Sequence, residues 1–95
     1  MIGKKVIIRG DLSGVFFGTL VAKNGREVKL ADCRRLWFWS GAASLSQLAV
    51  DGVKYPKKCK FTVTVSEILI LDAIEIIPCA DKAVKSITST YEWKI

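Results

Sequence analysis

Residues 4–10, KKVIIRG, set three β-branched residues between charged ends and stop at a glycine, the pattern of a short strand. DLSG at 11–14 reads as a turn. VFFGTLVAK at 15–23 is aromatic and aliphatic, Asn24-Gly25 follows, and REVKL at 26–30 returns. Asn-Gly is the strongest short-range hairpin signal, because a type I′ turn needs positive φ at both central residues. With that two-residue loop, Val21 faces Val28 and Thr19 faces Leu30. Val15, Phe17, Thr19 and Val21 then share a face with Val28 and Leu30, which buries one side of the hairpin. Gly18 inside the strand predicts a bend or bulge in a curling sheet.

After Asp32-Cys33, RRLWFW alternates as another strand, with Leu36 and Phe38 on one face and Arg35, Trp37 and Trp39 on the other. Ser44 and Gln47 are spaced as a capping box, so a short helix is predicted from Ser44 to about Val50, ended by Asp51-Gly52. KYPKKCK at 54–60 is a basic loop, and FTVTV at 61–65 alternates strictly as a strand. SEILILDAIEII at 66–77 has the length of an amphipathic helix, but its five isoleucines favour one long or bent strand, stopped by Pro78. Ala80, Ala83, Val84 and Ile87 fall at helical spacing, and YEWKI at 91–95 offers a last short strand. The order β-β-β-β-α-β-β-α predicts a single domain over 1–95. Its class is α+β: a small curled antiparallel sheet or partly open barrel with one short helix and a C-terminal helix.

Composition adds a tendency to associate. The hydrophobic fraction is 51% in 95 residues, and small domains gain buried area by oligomerising, so a homo-oligomer is expected. No run reaches the roughly 18 apolar residues of a membrane helix, and the N-terminus lacks the apolar core of a signal peptide. The expectation is a cytoplasmic protein with no membrane partner. Three widely spaced cysteines, no Cys-x-x-Cys and no histidine fit buried thiols and tell against a tight structural zinc site.

Charge is uneven. Residues 1–50 carry eight Lys/Arg against three Asp/Glu, and residues 51–95 carry seven against six, within a net charge of +6. A basic first half favours an anionic partner such as a nucleotide, a nucleic acid or an acidic protein. Enzymatic machinery is scarce. Without histidine the commonest general base near neutral pH is missing, and neither a Ser-His-Asp nor a Cys-His pair can be built. There is no Walker loop and no G-x-G-x-x-G, and nothing calls for a cofactor. Asp72 and Glu75 read as exposed points of a strand edge or bend.

The stretch RRLWFWSGAASLSQLA, residues 34–49, concentrates what binding chemistry there is. Arg34 and Arg35 carry forks that match phosphate, Trp37 or Trp39 offers a stacking face, and Ser40, Gly41 and Ser44 would line an anion at the helix start. The same tryptophans could equally anchor a core or an oligomer interface. With GVKYP and ILDAIEIIPC, this stretch resembles an uncharacterised family of small accessory proteins of tailed bacteriophages and prophages, over nearly the whole chain. The resemblance implies an accessory protein acting in the host bacterial cytoplasm and brings no catalytic or binding residues with it.

Three readings follow. The first is a non-enzymatic, homo-oligomeric protein that binds an anionic nucleotide-like ligand and, by analogy with other small phage proteins, sequesters a host immune signal. The second is a nucleic-acid-binding β domain, and the third a structural or protein-interaction module.

Overall fold

A computed structural model describes all 95 residues. The chain forms β1 (Lys5–Gly10), β2 (Val15–Asn24), β3 (Glu27–Phe38), α1 (Leu45–Asp51), β4 (Lys60–Phe61), β5 (Val65–Ile70), β6 (Ala73–Pro78) and α2 (Asp81–Ser89), with a 3-10 turn over Pro56–Lys58. All strand pairs are antiparallel. The order β6-β1-β2-β3 ends on an edge shared by β5, opposite Val28–Cys33, and β4, opposite Leu36–Phe38. β5 and β6 occupy opposite edges, yet only Leu71 and Asp72 join them. So short a link requires the sheet to curl until its edges approach. It does not close, because β5 and β6 do not pair.

Curling gives the sheet two buried faces. Inside the curl Val6, Ile8, Phe16, Leu20, Val28, Leu30, Cys33, Ile70 and Ala73 form one core. On the outer face Ile7, Phe17, Leu36 and Phe61 pack under the helices against Leu48, Ala49, Cys59 and Ile87. Val6, Ile7 and Ile8 are therefore buried in succession, which alternation in a one-faced sheet would forbid. No helix is long and apolar enough to cross a membrane.

The α+β class, the curled open sheet, the short helix and the C-terminal helix are as the pattern predicts. Ser44 caps α1 by accepting the Gln47 N–H at 3.1 Å, and Gly52 ends the helix. Residues 66–77 are two strands bent at Leu71-Asp72.

Several local expectations are corrected. The hairpin turns on Gly25-Arg26, one residue on from the expected Asn24-Gly25 turn, with Asn24 opposite Glu27, and a slip between Leu20 and Ala22 then puts Leu20 opposite Leu30. Only Gly25 takes positive φ there (60°), the pattern of a type II′ turn, which needs one such residue where I′ needs two. Val21 is the residue left without a partner at that slip and lies 42% exposed, while Phe16 and Leu20 join Val28 and Leu30 in the core. REVKL and RRLWFW are one strand. Asp32, at φ 47°, bulges opposite Gly18 and lets β3 run on. A Cβ on Gly18 would lie 2.9 Å from the Ala31 carbonyl oxygen, so the bend expected there is real and needs glycine. FTVTV keeps only its first residue in β4 and its last in β5. YEWKI makes a single parallel bridge, Glu92 to Phe61.

Burial also sets the thiols. Desolvation pushes Cys33 up to about 11, against the lowering influence of Arg35 and Lys5, and pushes Cys79 to about 11. An acid whose folded pKa is raised adds stability that is full below its unfolded pKa, near 8.5 for a free thiol, and is lost as pH rises through the folded value. The denaturation midpoint is expected to hold to about pH 8 and to fall between roughly 9 and 11. A Cys33→Ala/Cys79→Ala variant should show a shallower fall, and an unchanged alkaline slope would show that these thiols do not set it.

Candidate functional site

Arg34 and Arg35 are neighbours on β3 with opposite fates. Arg34 points into the fold and is 3% exposed. Its Nε donates to the Thr62 carbonyl, Nη1 to those of Ile87 and Thr90, and Nη2 to those of Phe61 and Tyr91, at 2.8–3.1 Å. That uses all five N–H donors of a guanidinium. Arg34 is therefore not free to hold a phosphate. It bridges the gap between β4 and β5 to the end of α2, and burial draws its pKa below the ordinary value.

Arg35 faces the other way. Its backbone N–H donates to the Thr62 hydroxyl at 2.8 Å, and its guanidinium sits 4.7 Å from the centre of the Phe16 ring. It takes part in none of the four ion pairs of the molecule, which join Arg26 to Asp11, Lys29 to Glu67, Lys82 to Asp51 and Lys94 to Glu92. Arg35, Trp37 and Trp39 alternate along the chain and line one cleft of about 240 Å³ with Leu36 and, from the β1–β2 turn, Ser13, Gly14 and Val15. Trp37 is 63% exposed, whereas Trp39 is half-buried against the helix-side core.

An adjoining hollow of about 460 Å³ shares Arg35 and Ser13 and is otherwise largely apolar, walled by Leu12, Phe16, Ile68 and Leu71. Asp72 is tied up at its rim. Its carboxylate accepts the Ser13 hydroxyl and the N–H groups of Leu12 and Ser13, an arrangement that pins the β1–β2 turn to the β5–β6 link. Those hydrogen bonds, the Ser13 hydroxyl first, hold the carboxyl below its usual range.

The expected anion end is placed elsewhere. Ser44 is engaged in capping α1, and the Gln47 side chain takes the Ala43 N–H at 2.7 Å. Gly41 lines a separate hollow with Gln47, Asp51, Lys54 and Lys82. The Ser40 N–H meets the Cys59 sulfur at 3.4 Å, and its carbonyl faces the Tyr55 N–H. Of the seven residues singled out in the sequence, the fold brings Arg35, Trp37 and Trp39 together. It turns Arg34 inward and assigns Ser40, Gly41 and Ser44 to the corner that carries α1.

Two groups were not among the expected site residues. Ser13 and Gly14 reach the cleft through pairing of β1 with β2. Trp93, near the C-terminus, stacks on Trp37 with ring centres 6.3 Å apart and planes 19° apart. Only the composition of YEWKI hinted at the second.

The molecule is thus a small α+β domain on a curled, open antiparallel sheet, with an arginine outside any ion pair sharing a cleft with an exposed and a half-buried indole. Residues 3–87 match the family model described as a domain of unknown function, DUF6948, and the chain belongs to that family. No curated protein and no solved structure matches the chain.

Proposed function

We propose that this protein is a non-enzymatic binder of an anionic, nucleotide-like ligand, taken by the cleft of Arg35, Trp37 and Trp39. The observation that carries this is Arg35: a guanidinium without a carboxylate partner, lining a cleft together with two indoles. A guanidinium fork suits phosphate and an indole face suits a base. The cleft is smaller than the roughly 300 Å³ at which sites for drug-sized ligands begin, so it suits a base and one phosphate and leaves the rest of a ligand outside. Binding without turnover accords with a chain that has no histidine and with a sequestering role, drawn by analogy with other small phage proteins. Homo-oligomer formation draws support from the open edge of β5 and the link after it, where Leu69 and Leu71 are 55% and 64% exposed and share a hollow with Leu12.

The test is titration calorimetry with nucleoside monophosphates on the wild type and on Arg35→Ala/Trp37→Ala. Trp37 is chosen over Trp39 because Trp39 also packs in the core. A charged hydrogen bond is worth about 1.5–3 kcal/mol and a stacked base about 1–3, so the double variant should bind at least about 50-fold more weakly with unchanged circular dichroism. Equal binding by the two proteins would remove the site. Native mass spectrometry of the purified protein reads copy number and any retained ligand in the same experiment.

A further inference from the structure

Beside the cleft, the turn from Tyr55 to Lys60 carries charge without compensation. Lys54, Lys57, Lys58 and Lys60 are all exposed, and none belongs to an ion pair. The ammonium groups of Lys54 and Lys58 lie 5.7 and 5.5 Å from the centre of the Tyr55 ring, and that of Lys60 lies 5.4 Å from Trp93. Trp93 in turn stacks on Trp37, the rim of the cleft. Arg35, the stacked Trp37 and Trp93 rings and Lys60 thus follow one another, and Tyr55 with Lys54 and Lys58 continues the strip on the turn that leads into Lys60. The nearby carboxylates are already engaged: Glu92 pairs with Lys94 at 3.6 Å and accepts the Thr64 N–H, and Asp51 pairs with Lys82.

We infer that this strip extends the cleft into a track for single-stranded nucleic acid, with bases on the Trp37 and Tyr55 rings and phosphates on Arg35 and the Tyr55–Lys60 lysines. The inference depends on the cleft function proposed above and names its ligand class. Lysines alone would suit any polyanion. Rings exposed among them favour unstacked bases, because a duplex keeps its base faces covered and an acidic peptide has none. Three of the rings are substantially open, Trp37 at 63%, Tyr55 at 46% and Trp93 at 41%. A platform of this extent corresponds to on the order of four nucleotides.

The experiment compares thymidine monophosphate, oligothymidylates of increasing length and a DNA duplex, by fluorescence anisotropy or calorimetry over a range of salt. Affinity should rise with length and level off at on the order of four nucleotides, single strand should bind over duplex, and about four phosphate contacts should give a log–log salt slope near −3. Lys58→Ala/Lys60→Ala should weaken oligonucleotide binding about tenfold or more and flatten the slope by about 1.4, while mononucleotide affinity is unchanged. Length-independent binding with intact mononucleotide affinity would overturn the track and leave the cleft. Duplex binding as tight as single strand would overturn the role of the rings. Failure of every nucleotide to bind would overturn both proposals.

Discussion

Replacing Arg34 with alanine is expected to lower the stability of the fold by about 3–5 kcal/mol, the range for removing one partner from a buried charged network. Its five hydrogen bonds reach Phe61 and Thr62 at the break between β4 and β5, Ile87 and Thr90 at the end of α2, and Tyr91 beyond it. α2 has no basic residue in its last turn; its Ser86 carbonyl accepts the Thr90 hydroxyl, and the Ile87 and Thr90 carbonyls are met by a side chain from β3. A guanidinium there meets both the open carbonyls and the negative end of the helix dipole. Alanine would strip the buried Ile87 and Thr90 carbonyls of this partner, while the Phe61 carbonyl would keep the Trp93 N–H at 2.8 Å. Lysine should recover little, because three donors on one nitrogen cannot reach five carbonyls spread over two stretches of chain. With about 4–8 °C per kcal/mol for a domain of this size, the melting temperature should fall by on the order of 15–30 °C. Denaturation of Arg34→Ala and Arg34→Lys measures this directly, with hydrogen exchange at the end of α2 as a local reading. A loss under about 1 kcal/mol would mean that water satisfies those carbonyls equally well.

The second large effect is expected at Gly41, where alanine should cost about 2–4 kcal/mol from backbone strain and a steric clash together. Gly41 has φ 93°, and a Cβ there would lie 2.5 Å from the Lys54 nitrogen and 2.8 Å from its Cα. Both are backbone atoms, so no flexible side chain can give way. The same contact sets the Tyr55–Lys60 turn, because the Gly41 and Ser40 carbonyls accept the Lys54 and Tyr55 N–H groups at 3.3 and 3.4 Å. Displacing it should also weaken oligonucleotide binding, an effect that a purely global destabilisation would not produce below the melting transition. Gly25→Ala is the control. Its φ of 60° is milder and nothing lies within 4 Å of the added carbon, so a cost of about 1–2 kcal/mol is expected. Denaturant midpoints for the two variants decide it: equal losses would show that φ, and not the approach of Lys54, is what Gly41 serves.

Some of this architecture was open to sequence reading because its causes are local. Ser44 and Gln47 cap α1 through groups three residues apart, and Gly52 ends it. Ala83, Val84 and Ile87 face the core from α2 because a helix returns to the same side every three to four residues. The alternation of Arg35 and Trp37 along β3, with Trp39 just past its end, carried them to one cleft. Where an element has both faces covered, alternation loses its meaning, and there the sequence misled. Phe16, Phe17 and Gly18 are buried in succession, so the pattern alone could not choose between the two hairpin registers.

By itself the sequence determined the class of fold, the two helices with the caps of the first, the bend at Gly18 and the candidacy of the Arg-Trp stretch, since each depends on neighbours within a few residues. Only the tertiary structure decided which arginine serves the fold and which faces the solvent. The Arg34 guanidinium is fixed by carbonyls 27 to 57 residues away. It likewise brought Trp93 to Trp37 and the Tyr55–Lys60 turn to the cleft, because such contacts exist only after the sheet has curled and α2 has packed across it.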